Sequence, residues 1–232
     1  MVHIFKDEAV IFDLDDLLYK EFDFLRSAYW SIARLVSKDQ PKTLFRLMMA
    51  QYFSGNAAID WLIKDYLKGD SEYDLNYFLG IYRNHMPDIS LEANVYQVLS
   101  QLKANGNLMG VLTDGRSITQ RNKIKALNLN YWISDFCISE ELGFEKPAKE
   151  PFLHFMEKFD TNDFVYIADN YNKDFIMPNE LGWRTIALAD NGLNIHKPNT
   201  NLPSRNLPGK VIKNFSELIV SNTRINDSVF RP

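Results

Sequence analysis

This 232-residue chain carries a single cysteine, Cys137, so no disulfide framework is available to it. The cysteine falls in an apolar stretch and reads as a small buried hydrophobe, which suits a reducing, cytoplasmic setting. No stretch approaches the roughly 18 consecutive apolar residues of a membrane span, and the first residues lack the pattern of a secretory leader. Basic blocks are missing too. The 26 lysines and arginines are outnumbered by 30 aspartates and glutamates, a net charge of −4 that argues against a nucleic-acid partner. Four scattered histidines include no pair at zinc-ligand spacing. Repeats and low-complexity segments are absent, and nothing specifies an oligomeric state. What is left is a chain long enough for one sizeable domain and a smaller companion.

The most informative stretch is Val10-Ile11-Phe12-Asp13-Leu14-Asp15-Asp16-Leu17-Leu18-Tyr19. An apolar run long enough for a buried strand ends in three carboxylates among four residues. Burial of such groups is costly unless they face an open crevice or a cation. If strand geometry persists, alternation sends Asp13 and Asp15 to one side and Asp16 elsewhere. The competing reading is a solvated acidic turn.

After this strand the pattern becomes helical. Leu25, Tyr29, Ile32, Ala33 and Val36 share one helical face, and Pro41 stands near the start of a second helix bearing Leu44, Leu47, Met48 and Tyr52. Ile59, Leu62, Ile63 and Tyr66 give a third face, and Leu75, Phe78, Leu79 and Tyr82 a fourth. Beyond Pro87 strands alternate with single helices. Strands are expected at Leu108–Leu112, Phe136–Ile138, Phe164–Ile167 and Thr185–Leu188, with Gly106 closing a helix before the first. Ser117 and Gln120 have capping-box spacing, and a short helix is expected from about Asp174 to Gly182. Residues 1–8 read as a lead-in, 191–210 as a surface loop, 214–220 as a last amphipathic turn or helix, and the remainder as a polar tail. The expected fold is α/β: a Rossmann-like parallel sheet with helices on both faces and an inserted four-helix cap domain. The core would take residues 1–16 and 88–232, and the cap 17–87.

Strand ends deliver Asp13 and Asp15, Thr113, Lys146 in the loop after the third strand, and Asp169 with Asp174. Carboxylates from two strands can share a hard divalent cation such as magnesium, while a hydroxyl and an ammonium complete a phosphoryl cradle. Phe12-Asp13-Leu14-Asp15-Asp16, Leu112-Thr113-Asp114, Lys146-Pro147 and Asp169…Asp174, in that order, resemble the four motifs of the haloacid dehalogenase-like hydrolase superfamily. The helical insertion resembles its first cap class.

That resemblance implies Asp13 as nucleophile and metal ligand, and Asp15 as general acid/base with its carbonyl on the metal. It implies Thr113 as a phosphoryl hydrogen-bond donor, and Lys146 as the charge holding nucleophile and phosphoryl group. Asp169 and Asp174 would support Mg2+. Plainer readings stand beside these: a strand-end hydroxyl for Thr113, an exposed lysine for Lys146, a helix cap for Asp174. Asp15 separates the chain from true dehalogenases, which lack this carboxylate, and favours phosphate ester hydrolysis. Leu17 stands where the family usually has threonine or valine, and Ala168 where glycine is common. Tyr19 and Lys20 between core and cap, and Asp114 and Arg116 after the second strand, are the expected substrate contacts; Arg116 reads equally as a solvated helix-start residue. The run Ile167–Asp174 with Asn179-Glu180-Leu181-Gly182-Trp183 resembles phosphatase-like proteins encoded with surface-polysaccharide or nucleotide-sugar enzymes. The expected activity is therefore magnesium-dependent hydrolysis of a small sugar phosphate or nucleotide through an aspartyl-phosphate. A weak or inactive phosphoryl- or partner-binding protein is the alternative, with Leu17 as its support.

Overall fold

Every side chain of Ala9–Phe12 is buried, which requires cover on both faces of the strand. The computed structural model, which describes residues 1–69, 73–195 and 202–222, shows that cover. In chain order the elements begin with β1 Val2–Phe5, β2 Ala9–Phe12, α1 Glu21–Val36, α2 Pro41–Phe53, α3 Ala58–Trp61, α4 Leu75–Asn84 and α5 Ala93–Asn105. They continue with β3 Met109–Thr113, α6 Ser117–Ala126, β4 Asp135–Ile138, α7 Ser139–Leu142, α8 Glu150–Lys158, β5 Phe164–Ala168, α9 Ile176–Glu180, β6 Arg184–Leu188, β7 Lys210–Ile212 and β8 Leu218–Ser221.

Six strands form one parallel sheet in the order β4-β3-β2-β5-β6-β7. Period-two alternation divides its side chains between two cores. Val10, Phe12, Val111, Val165, Ile167 and Ile186 join one, with Leu99 and Leu102 of α5. Ala9, Ile11, Leu112, Tyr166, Ala168 and Ala187 join the other, with Phe152 and Phe155 of α8. Gly110 makes the second packing feasible, since a Cβ there would lie 2.4 Å from the Phe155 ring. The fold is the expected α/β sheet flanked by helices.

The chain enters at the centre of the sheet, then builds β3 and β4 on one side and β5 to β7 on the other. That reversal leaves a crevice at the carboxyl ends of β2, β3 and β5. Helices α1–α4, with a π turn at Leu62–Tyr66, pack around a third core of Leu25, Tyr29, Ile32, Met48, Leu62 and Phe78. Leu17, Leu18, Tyr19 and Phe24 instead pack into the sheet's core. The unit is tied to α6 by Thr119 Oγ1, which donates to the Arg83 carbonyl (3.0 Å), and by the Asn122 side-chain amide on the carbonyls of Asn84 and His85.

Three expectations change. The lead-in contains β1, which pairs in parallel with β8 as a two-stranded ribbon. Residues 214–220, expected as a turn or helix, do hold a 3-10 turn at Phe215–Glu217, but continue as strand β8. Lys210, expected in a loop, begins edge strand β7. The rest of the loop expected at 191–210 lies partly outside the described residues, at 196–201, and the polar tail at 223–232 wholly so.

Candidate active site

The ladder between β2 and β5 continues one residue past the strand, with Asp13 N–H donating to the Ile167 carbonyl (2.9 Å). This sets Asp13 beside Asp169, which follows the last residue of β5. The chain then leaves strand geometry in a single turn closed by Leu18 N–H on the Leu14 carbonyl. So Asp15 reaches the same cavity as Asp13 through a turn, not through the alternation expected of a continuing strand. Asp13, Asp15, Asp16, Glu21, Thr113, Asp114, Asp169, Asn170 and Lys173 line that cavity, of about 120 Å³. A roomier trough of about 550 Å³ lies beside the β1–β8 ribbon, lined by Lys6, Gln101, Asn105 and Leu218 among others, with no convergent reactive groups.

One side of the cavity is crowded with negative charge. Oxygens of Asp13, Asp169 and Asp174 lie within 4.8 Å of one another, and all three residues are buried. Lys146 Nζ is 2.8 Å from Asp13 Oδ1 and 2.9 Å from Asp174 Oδ1. The second contact lacks hydrogen-bond alignment, which leaves Asp174 Oδ1 a buried oxygen without a donor. Asp174 Oδ2 accepts the Asn170 N–H at 3.0 Å, so the residue sits just before α9 without capping it.

Burial, only partly offset by Lys146, pushes the Asp13 carboxyl up to about 7. Burial and the neighbouring charges of Asp13 and Asp174 push Asp169 to about 8. Burial disfavours the Lys146 ammonium as well, but Asp13 and Asp174 outweigh it and hold that pKa well above the ordinary lysine value. One ammonium serves several anions, so the lysine gains while the anions remain short of positive charge. A hard divalent cation with oxygen ligands, such as Mg2+, fits that donor set and its unpartnered oxygen.

The other side is saturated. Asp15 accepts from Lys123 Nζ (2.7 Å), from Gln120 Nε2 (2.9 Å) and from the Tyr19 hydroxyl. Burial favours its neutral form, but the Lys123 ammonium and these hydrogen bonds prevail and hold the carboxyl below its usual range. Gln120 Nε2 also donates to Thr113 Oγ1 at 2.5 Å. The capping box expected at Ser117 and Gln120 is therefore not formed: Gln120 turns inward, and the Ser117 N–H donates to Glu140 Oε2.

The remaining expected contacts divide. Asp114 is in the cavity and accepts from the Lys146 N–H (3.1 Å) and from Lys173 Nζ (2.5 Å). Tyr19 is buried behind Asp15, outside the lining. Lys20 also stands outside it, with its ammonium 2.8 Å from Asn194 Oδ1. Arg116 faces solvent, 3.9 Å from Glu140. Asp16 adopts a left-handed φ of 56° and accepts the N–H groups of Glu21 and Ile195. Leu17 is buried in the sheet's core, and the Ala168 methyl is in the opposite core, clear of the cavity.

Sequence reading missed Gln120, Lys123, Lys173, Glu21 and Asn194. Asn194, from the expected surface loop, is 4% exposed and donates to Asp169 Oδ2 at 2.9 Å. Lys173 adjoins Asp174, and a lysine beside a motif aspartate was the available signal. Gln120 and Lys123 stand three residues apart on α6, the spacing of one helix face.

The Haloacid dehalogenase-like hydrolase family model matches residues 10–188. A curated glyceraldehyde 3-phosphate phosphatase of Methanocaldococcus jannaschii is 27% identical over 195 residues, covering 78% of this chain and 84% of that protein. The crystal structure of YfnB from Bacillus subtilis, bound to magnesium, superposes with a TM-score of 0.59 at 19% identity, over 90% of this chain and 96% of that one. A "predicted phosphoglycolate phosphatase" of Haemophilus somnus 129pt gives a TM-score of 0.57 at 20% identity, over 91% and 96%. Both structures are alike in fold.

Proposed function

The chain belongs to the haloacid dehalogenase-like hydrolases and is a phosphoric monoester hydrolase, and from that premise we propose that it releases phosphate from a small sugar phosphate by way of an aspartyl-phosphate on Asp13. The observation that carries this is the triad of Asp13, Asp169 and Asp174, with the Lys146 ammonium on Asp13 and Asp174, beyond the ends of the two central strands. Asp13 attacks phosphorus with the oxygen that Lys146 leaves free; the bond to the leaving oxygen breaks as that oxygen takes a proton from Asp15. Water then attacks the same phosphorus, Asp15 takes its proton, and the bond to Asp13 breaks. Because Thr113 Oγ1 already accepts from Gln120, its own hydrogen is left to donate to a phosphoryl oxygen.

A magnesium ion held by Asp13, Asp169, Asp174 and the Asp15 carbonyl would neutralise charge on the phosphoryl oxygens. Lys146 supplies the fixed positive charge beside them. Lys123 holds Asp15 ionised in the free site, so Asp15 first takes up a proton, from water or from the monoanionic phosphate ester, and then gives it to the leaving oxygen. The helices of 17–87 act as a cap that keeps bulk water from the intermediate. The cavity is small, about 120 Å³, which favours a short sugar phosphate over a nucleotide.

The test is phosphate release from a panel of phosphomonoesters with Mg2+, with chelator, and with Asp13→Asn. Metal-dependent turnover lost by at least about 1,000-fold in Asp13→Asn supports the reading. Turnover that survives either the chelator or the substitution overturns it.

A further inference from the structure

Of the six carboxylates that line the cavity, five have partners. Asp13 has Lys146; Asp15 has Lys123, Gln120 and Tyr19; Asp16 has two backbone N–H groups; Asp114 has Lys173; Asp169 has Asn194. The sixth is Glu21, the first residue of α1, half-buried at the root of the helical unit. Its N–H donates to Asp16, but its carboxylate meets no donor and no cation within bonding distance among the described residues. Burial, with the neighbouring Asp15 charge and against the Lys123 ammonium, pushes the Glu21 carboxyl up to about 7, so it carries its full charge on the alkaline side of neutrality, where the comparison below is made. The bond to Asp16, the residue after Asp15, roots Glu21 on the Asp15 side of the shared cavity, where the leaving oxygen takes its proton.

We propose that Glu21 selects the leaving group, accepting hydrogen bonds from the hydroxyls of a short neutral polyol phosphate and repelling leaving groups that carry a carboxylate. This rests on the phosphatase reading above and narrows its substrate class. A half-buried carboxylate without donors has lost part of its hydration, and hydroxyls of a bound polyol restore it. A second anion beside it is penalised, because charge repulsion is strong where water is excluded. Rejection of the wrong ligand by an aimed like charge is an established route to specificity. The cavity is small and Glu21 is part of its lining, so the carbons beside the leaving oxygen pass this glutamate.

The experiment compares kcat/KM for glycerol phosphate, phosphoglycolate, phosphoethanolamine and p-nitrophenyl phosphate, using the full chain with Mg2+, as wild type and Glu21→Gln. Glutamine keeps the shape and the backbone bond to Asp16 while removing the charge. The expected result is a wild-type preference for glycerol phosphate over phosphoglycolate of about tenfold or more. In Glu21→Gln that ratio should contract about tenfold, chiefly through a lower KM for phosphoglycolate. A ratio that moves less than about twofold overturns the proposal, with wild-type turnover of p-nitrophenyl phosphate showing that the phosphatase reading survives. Preference for phosphoethanolamine over glycerol phosphate, lost in Glu21→Gln, also overturns it in favour of a cationic leaving group. Silence of the wild type toward all four compounds defeats the phosphatase reading, and this inference with it.

Discussion

Asp13 and Asp15 are two residues apart and share a cavity, yet their surroundings push them in opposite directions. Around Asp13 three buried carboxylates crowd about one ammonium, and burial pushes protons onto Asp13 and Asp169. Around Asp15 one carboxylate collects three donors, and the protein holds it ionised. The first side is short of positive charge, which a divalent cation would supply. The second is complete in itself and must be disturbed before its carboxylate can take up the proton it is to donate. Both conditions follow from counting charges, and neither could be read from the residue types alone, which are aspartates in each case.

The broadest way to sharpen this contrast is to titrate stability without metal. Asp13 and Asp169 have carboxyls raised from 3.8 to about 7 and about 8. Between pH 5 and 8, as rough bounds, the folded chain thus holds protons the unfolded chain has released, and stability falls as pH rises. Denaturant unfolding in chelator should lose several kcal/mol across that window, and Mg2+ should restore more at the alkaline end than at the acidic end. A flat profile would mean that the Asp13 side is not short of positive charge.

Removing the cation on the saturated side comes next. Lys123→Met leaves the Asp15 charge buried beside two neutral donors and should cost about 3 kcal/mol in denaturant unfolding. Adding Asp15→Asn should recover part of the loss, because the stranded charge disappears. Equal stability of wild type and Lys123→Met would break the comparison. The smallest expected effect is on a supporting contact. Asn194→Ala removes the donor to Asp169 Oδ2 and should weaken Mg2+ binding about tenfold, read by calorimetry, with little change in Tm. Tighter binding would instead identify Asn194 as a competitor for that oxygen.

The sheet and the strand-end carboxylates were legible because each apolar run abuts its polar terminus, so one short window of sequence holds both. Pro41 and Gly106 marked helix ends through local backbone chemistry, and the structure has them there. Gln120 and Lys123 were illegible for the opposite reason. Their partner, Asp15, lies in the turn after β2, more than a hundred residues away, and the local capping pattern offered Gln120 a plausible role close by. Asn194 sits in a stretch without periodicity, where nothing local distinguishes a polar side chain folded inward from one in solvent. Strand β7 is short and half-exposed, and β1 is half-exposed, so neither gave the continuous apolar run that betrays a central strand.

The β1–β8 ribbon has a kinetic meaning as well. Val2 pairs with Leu218 and Phe5 with Ser221, so its few hydrogen bonds close a loop of more than two hundred residues. On loop-closure entropy alone that is about 3 kcal/mol dearer than a ten-residue hairpin. Four short pairs can meet such a cost only with the sheet already in place to receive Val2, Ile4 and Leu218. The first strand of this chain is thus among the last parts of the core that can be finished.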